Sequence, residues 1–337
     1  MKKWAISVAL AVVAIGAVVA TTSASSGKTS KKIRIGLVLP ALSNEAINDV
    51  KLGAEARAKQ LGNVQVLVAA SYKGEDQAKG MENFIAAKVD VIGYDSIDAA
   101  AVGPAVQKAN AAGIPVIGLI SKADKGKHVT FIAADFRQDG EIIGRWMNKS
   151  LHGKGNVALA EGNPADAAGQ QLKSGFKTGL AVGGSKIKLV AVAPTNWDRV
   201  KALSVATDIL TAHPDLQGFY GMNDDVALGA LQAIESSGRE ASILLAGHNG
   251  TCEALSSILK AKLDFTVMLF NKPLGVQFVD ASLQVLKGKK FPAFTKAPVF
   301  GIDTSTAKAI LEGKAKAPAA LQADVKSRLQ KAKAGCK

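Results

Sequence analysis

Asn223, Asp224 and Asp225 follow the apolar run GFYGM and open a helix-forming stretch, VALGAL. Side chains of this kind can do two jobs. Their oxygens accept from the free N–H groups of a helix's first turn, and acids there complement the helix dipole. Alternatively, they hydrogen-bond a ligand. One cap needs one residue, and three stand here. The same polar seam recurs after other apolar runs, at Asn44, at Ser71-Tyr72, at Asp95, at Ile120-Ser121, over 161–163, over 195–198 with Trp197, and at His248-Asn249. Amides, acids and one indole ring suit recognition of a small polar molecule by hydrogen bonds and stacking.

Chemistry of turnover is harder to find. No G-x-G-x-x-G follows an apolar run, so the dinucleotide fingerprint is missing. The Gly27-Lys28-Thr29 triplet lacks the upstream glycine of a phosphate loop, because position 22 is Thr. Residues 179–186 end in Gly-Ser-Lys, in the wrong order and after a helical stretch. A G-x-S-x-G nucleophile elbow is also missing. The four histidines, His128, His152, His213 and His248, have no metal-ligand spacing. Only His248 ends an apolar run, and it reads as a pocket wall. These residues imply a binding protein with no catalytic residue, metal or cofactor.

The seams need elements to carry them. Ten short β-branched or apolar runs qualify as strands: 33–39, 64–69, 90–94, 114–119, 128–133, 156–160, 187–193, 216–222, 242–246 and 265–269. Most are separated by Ala-rich stretches with helical spacing, such as Ile47, Val50, Ala54, Ala58 and Leu61. Such alternation predicts an α/β fold with parallel sheets covered by helices on both faces. Continuously apolar strands agree with sheets buried on both sides. Ten strands suit two sheets, with the chain crossing between lobes near 133–137. Ligands of such sheets bind beyond the carboxyl ends of the strands. The polar seams all fall there, on one edge of each of two facing lobes.

Composition bounds the rest. The 337 residues are 48% hydrophobic, 21% charged and only 5% aromatic, enough for two globular cores. Lys2 and Lys3, an apolar core over 5–20 and the small residues Thr22-Ser23-Ala24 predict a signal peptide over 1–24, hence a periplasmic protein. The net charge is +14, and eight Lys/Arg lie beyond residue 307 against only Glu312 and Asp324. Export argues against nucleic acid. Leu321, Val325, Leu329 and Ala332 form a helical stripe that predicts a tail packed on the body with a solvated basic face. Cys252 and Cys336 leave two readings open, a disulfide pinning the tail or two free thiols, since two lone cysteines carry no selective spacing.

The stretch TAHPDLQGFYGMNDDVALGALQAIESSG resembles ribose-type periplasmic sugar-binding proteins closely. ANAAGIPVIGL, AVAPTNWDRVKAL and GHNGT do so as well, and the likeness runs from about residue 33 to 303. The resemblance implies a type I periplasmic binding protein: two Rossmann-like lobes joined by a three-segment hinge, closing on a sugar for an ABC permease as a monomer. By register the crossings fall near Ala134, Leu269 and Phe300. That gives an N-terminal lobe over 33–134 plus 270–299, a C-terminal lobe over 135–269 plus 300–313, and a basic tail over 314–337. A sensory module serving a membrane receptor is the alternative.

Carried over residue by residue, the resemblance implies ligand contacts from Asn44, Trp197 and Asn223, with Asp224 or Asp225 left to start the helix. The register also brings Ile47, Asp95, Ile120, Ser121, Gln170, His248, Asn249 and Leu269 to the site. Several of these depart from the family pattern. Ile120-Ser121 replaces an Asp-Arg pair, Gln170 a binding Arg, Asn249 an Asp, Leu269 a hinge Gln, and Ala46-Ile47 two aromatics. Charge-assisted hydrogen bonds are about twice as strong as neutral ones. Ribose is therefore expected to bind poorly.

Overall fold

The computed structural model describes residues 32–336; the leader expected over 1–24 lies outside them. The chain opens with β1 (Ile33–Leu39), α1 (Glu45–Leu61), β2 (Val64–Ala70), α2 (Gly74–Ala86), β3 (Val91–Tyr94) and α3 (Ala99–Ala111). Then come β4 (Val116–Leu119), β5 (Thr130–Ala133), α4 (Phe136–Ser150), β6 (Lys154–Glu161), α5 (Ala167–Leu180) and β7 (Lys186–Pro194). Next are α6 (Arg199–Ala212), β8 (Leu216–Gly221), α7 (Asp224–Ser236), β9 (Leu244–Asn249), α8 (Cys252–Leu259) and β10 (Phe265–Leu269). The last are α9 (Asn271–Leu286), β11 (Phe294–Lys296), β12 (Val299–Asp303), α10 (Thr304–Leu311) and α11 (Gln322–Lys333).

Two six-stranded sheets result. The first runs β11-β5-β4-β3-β1-β2 with every pair parallel. The second runs β12-β10-β9-β8-β6-β7 and is parallel except for β12, which lies antiparallel to β10. All ten expected strands form. β11 and β12 lie outside the expected strands; both are short and mostly half-exposed or exposed.

Four apolar clusters line the two faces of the two sheets. Ile35, Leu37, Val50 and Phe278 bury one face of the first sheet under α1 and α9, and Val38, Met81, Ile92 and Val106 the other under α2 and α3. In the second sheet Leu159, Leu172, Phe176 and Tyr220 pack under α4 and α5, and Phe219, Val226, Leu255 and Met268 face the remaining helices. Helices α4 and α5 sit close because a Cβ on Gly175 would stand 1.9 Å from the Arg137 carbonyl oxygen, a contact only glycine permits.

The chain passes between sheets three times. It leaves β5 for α4 at Ala134-Asp135, leaves β10 for α9 at Phe270, and passes from β11 to β12 between Lys296 and Val299. By strand membership the last passage comes before Val299, earlier than the expected boundary at 299/300. The segment over 314–336 packs on the body, as its apolar stripe predicts. Ala317, Leu321, Val325, Leu329 and Ala332 are buried in the same cluster as α7 and α8. Cys252 at the start of α8 is disulfide-bonded to Cys336, closing a sequence separation of 84.

Candidate ligand-binding site

The carboxyl ends of both sheets face each other, and the space between them is a cavity of about 80 Å³. That volume lies below the ~300–1,000 Å³ of pockets for drug-sized ligands, so the space between the lobes is narrow. Asn44, Ile47, Asp95 and Ile120 line it from the first sheet, and Trp197, Asn223, His248, Asn249 and Leu269 from the second. Pro40, Tyr72, Ser96, Ile97, Phe136, Asp166, Ala168, Leu172, Met222 and Asn271 complete the wall.

Each lining side chain owes its place to local backbone chemistry. Asn44 caps α1 by accepting from Ile47 N–H at 3.1 Å, and its amide donates across the cleft to Asp225 Oδ2 at 2.8 Å. At α7 the roles differ from those expected. The cap is Asn223 itself, whose Oδ1 accepts from Val226 N–H at 2.8 Å. Asp224 is buried and accepts from Thr251 N–H at 2.6 Å and from the Thr266 hydroxyl at 2.8 Å, tying the start of α8 and β10 to the helix. Asp225 holds the opposite lobe through Asn44. An N-cap oxygen occupies only half of an amide, which leaves the NH₂ of Asn223, a lining residue, without a partner among the described residues.

Trp197 sits on a strained turn. Asn196 and Trp197 have φ of 56° and 65°, in the left-handed region that residues with a Cβ seldom enter. The indole lies against Gly162, where a Cβ would come within 2.1 Å of the ring. Its Nε1 is buried with no partner among the described residues. Ile120 and Asn249 also have positive φ, 54° and 122°. For a β-branched residue such as Ile120 this is a true outlier, and such outliers gather where a chain is held for function.

Electrostatics divides the wall. His248 is a wall, as its position suggests: one ring nitrogen meets Asp139 at 3.3 Å, the other Asn249 at 3.0 Å, and Phe136 packs edge-on against it. Asp95 and Asp166 are buried acids from opposite sides. Burial first, and then the neighbouring Asp166, pushes the Asp95 carboxyl well above the usual range. Burial raises Asp166 to about 6, against the lowering effect of its bonds to Ser121 and to the first turn of α5.

Two expected residues do not line the cavity. Ser121 is buried behind it, with its N–H on Asp95 Oδ1 at 3.1 Å and its hydroxyl on Asp166 Oδ1 at 2.8 Å. Gln170 is exposed, and its amide donates to the Pro164 carbonyl at 2.7 Å. The physical reason is helical phase. Ala168 and Leu172, four apart, share the face of α5 toward the cavity, and a residue midway between them points elsewhere. Sequence reasoning overlooked Asp166 and Phe136. Asp166 carries a legible signal, an acid capping a helix. Phe136 carries none, because only the passage between sheets brings it here.

Residues 35–290 match the model of the periplasmic binding protein domain. The chain belongs to the periplasmic binding protein family. Among this family's curated members, the chain is 34% identical over 275 residues to the ribose import binding protein RbsB of Bacillus subtilis, covering 82% of this chain and 88% of that one. The D-ribose/D-allose-binding protein of Pseudomonas aeruginosa is 30% identical, with 79% and 86% covered. Among solved structures, an ABC transporter periplasmic solute binding protein from Actinobacillus succinogenes with bound D-allose superposes with a TM-score of 0.77 at 31% identity. It covers 82% of this chain and 99% of its own. As a member of this family, the protein is a binding protein rather than an enzyme.

Proposed function

We propose that this periplasmic binding protein captures a sugar or sugar-like solute of monosaccharide size between its lobes and presents it to an ABC permease. The observation that carries the reading is the cavity itself. It is small, lies between two sheets' carboxyl ends, and combines the Trp197 ring with the amides of Asn44, Asn223 and Asn249. Relatives named for ribose and allose import support the ligand class and the periplasmic location. The cross-lobe bonds Asn44–Asp225 and Ser121–Asp166 support closure over the ligand by hinge motion.

Ribose itself fits this wall badly. Ile120 and Leu269 present methyl groups, and a buried hydroxyl left without a partner costs about 1–3 kcal/mol. Thermal shift across pentoses, hexoses, polyols and deoxy sugars tests the reading. A bound solute at 100 times its dissociation constant stabilises by about 2.7 kcal/mol. No stabilisation by any member would overturn the reading, and micromolar ribose binding would overturn the assignment of Ile120 and Leu269.

A further inference from the structure

The cavity wall has an unbalanced charge. Among its lining residues are the carboxylates of Asp95 and Asp166, and none is Lys or Arg. The two acids come from opposite lobes, Asp95 from the end of β3 and Asp166 from the cap of α5. Ser121 joins them by giving its N–H to one Oδ1 and its hydroxyl to the other. No donor among the described residues reaches the Oδ2 of Asp95. The hydroxyl of Ser96, 1% exposed and lining the same cavity, is also without a partner among them.

The nearby charges are already committed. Lys173 is paired with Glu161 at 2.7 Å, Arg199 with Glu253, and Asp225 holds Asn44. The His248 ring is held by Asp139 and Asn249. Tyr72 brings a phenol and no positive charge. Buried carboxylates without a cation are costly, and each of the two disfavours ionisation of the other. A cation arriving with the ligand removes that cost. The aromatic rings of Tyr72, Phe136 and Trp197 around the cavity also favour a positive group.

We infer that the ligand carries a protonated amine, seated between Asp95 and Asp166 with the Ser96 hydroxyl beside it, on a sugar-sized ring. This rests on the sugar-class reading above and narrows it to amino sugars.

Calorimetry on the processed chain at pH 7 tests the inference. The probes are amino sugars with the amine at C2, C3 or C6, each beside its parent hydroxyl sugar and its N-acetyl derivative. At least one amine is expected to bind tenfold or more tighter than both its partners, equivalent to about 1.4 kcal/mol. In Asp166→Asn that ratio is expected to fall at least fivefold. Asn caps a helix as well as Asp does, so α5 keeps its start. Asp95→Asn, which leaves an oxygen for the Ser121 N–H, is expected to act in the same direction. Parent sugars binding as tightly as the amines would overturn the inference and leave the sugar reading standing. Silence from every probe would overturn both, and an amine preference that survives both substitutions would remove these two acids as its cause.

Discussion

Trp197 and Asp166 show how single residues set this site. The indole is held by two consecutive positive-φ residues and by Gly162 behind it, so its plane is fixed before any ligand arrives. Trp197→Ala is expected to weaken solute binding several-fold to a hundred-fold, as for an aromatic anchor worth about 1–3 kcal/mol. Its melting temperature should change little. Trp146 is stacked on Phe265 at 4.8 Å, away from the cavity, so fluorescence changes on binding should vanish in the same variant. Asp166 makes a separate prediction about pH. Its folded pKa, about 6, lies above the ordinary value of 3.8, so the folded chain holds the proton more tightly than the unfolded one. Its stabilising contribution is full below pH 3.8 and is lost as pH rises through 6. Asp166→Asn should therefore raise the ligand-free melting temperature at pH 7.5 by about 2 °C or more. The gain should shrink toward pH 4, and comparing variant with parent cancels the opposite trend from half-buried His128.

At the scale of elements, helix starts and one distant helix organise the cavity. Asn44, Asp166 and Asn223 each cap a helix and line the site, so local folding and recognition draw on the same side chains. Helix α11 acts from behind. Arg328 donates to the carbonyl of Leu269 at 2.6 Å, to that of Asn249 at 3.3 Å and to that of Gly250, and lies 5.8 Å from the Phe270 ring. Leu269 and Asn249 face the cavity, and Phe270 is the second passage between sheets. Arg328→Ala is expected to cost about 1–3 kcal/mol in urea unfolding, because several carbonyls lose a charged donor. It should also loosen solute binding. Arg328→Lys should recover little of either, since a single ammonium cannot serve carbonyls spread over a planar fork.

For the whole molecule, the disulfide and the closing contacts matter most. Cys336 lies beyond α11, and its bond to Cys252 anchors that helix at the start of α8. Glu45 of α1 reaches the same point, accepting from Cys252 N–H at 3.1 Å, so the anchored helix start is also a contact between lobes. A cross-link closing a loop of this length typically adds about 2–4 kcal/mol. Cys336→Ser should lose that amount in denaturant unfolding. Dithiothreitol should bring the parent protein down to the same level and leave the variant unmoved.

The sequence by itself determined the elements and most of the wall. Apolar runs between helical stripes place ten strands, because buried parallel strands must be continuously apolar. Polar residues directly after those runs must stand at the sheet edge, so Asn44, Asp95, Trp197, Asn223, His248 and Asn249 were legible one at a time. The tail stripe was legible too, because Leu321, Val325, Leu329 and Ala332 recur at the spacing of one helix face. Tertiary structure decided what depends on two distant segments meeting. The pairing of Cys252 with Cys336 needed α11 folded onto α8. The strands β11 and β12 needed neighbours to bond to, having too little apolar surface of their own. The phase of α5 removed Gln170, the cap position before that helix admitted Asp166, and the sharing of Asn223, Asp224 and Asp225 between cap, core and opposite lobe depended on what each one met. Hydrophobic periodicity is written along the chain, whereas the partner of a polar group is fixed only when the lobes come together.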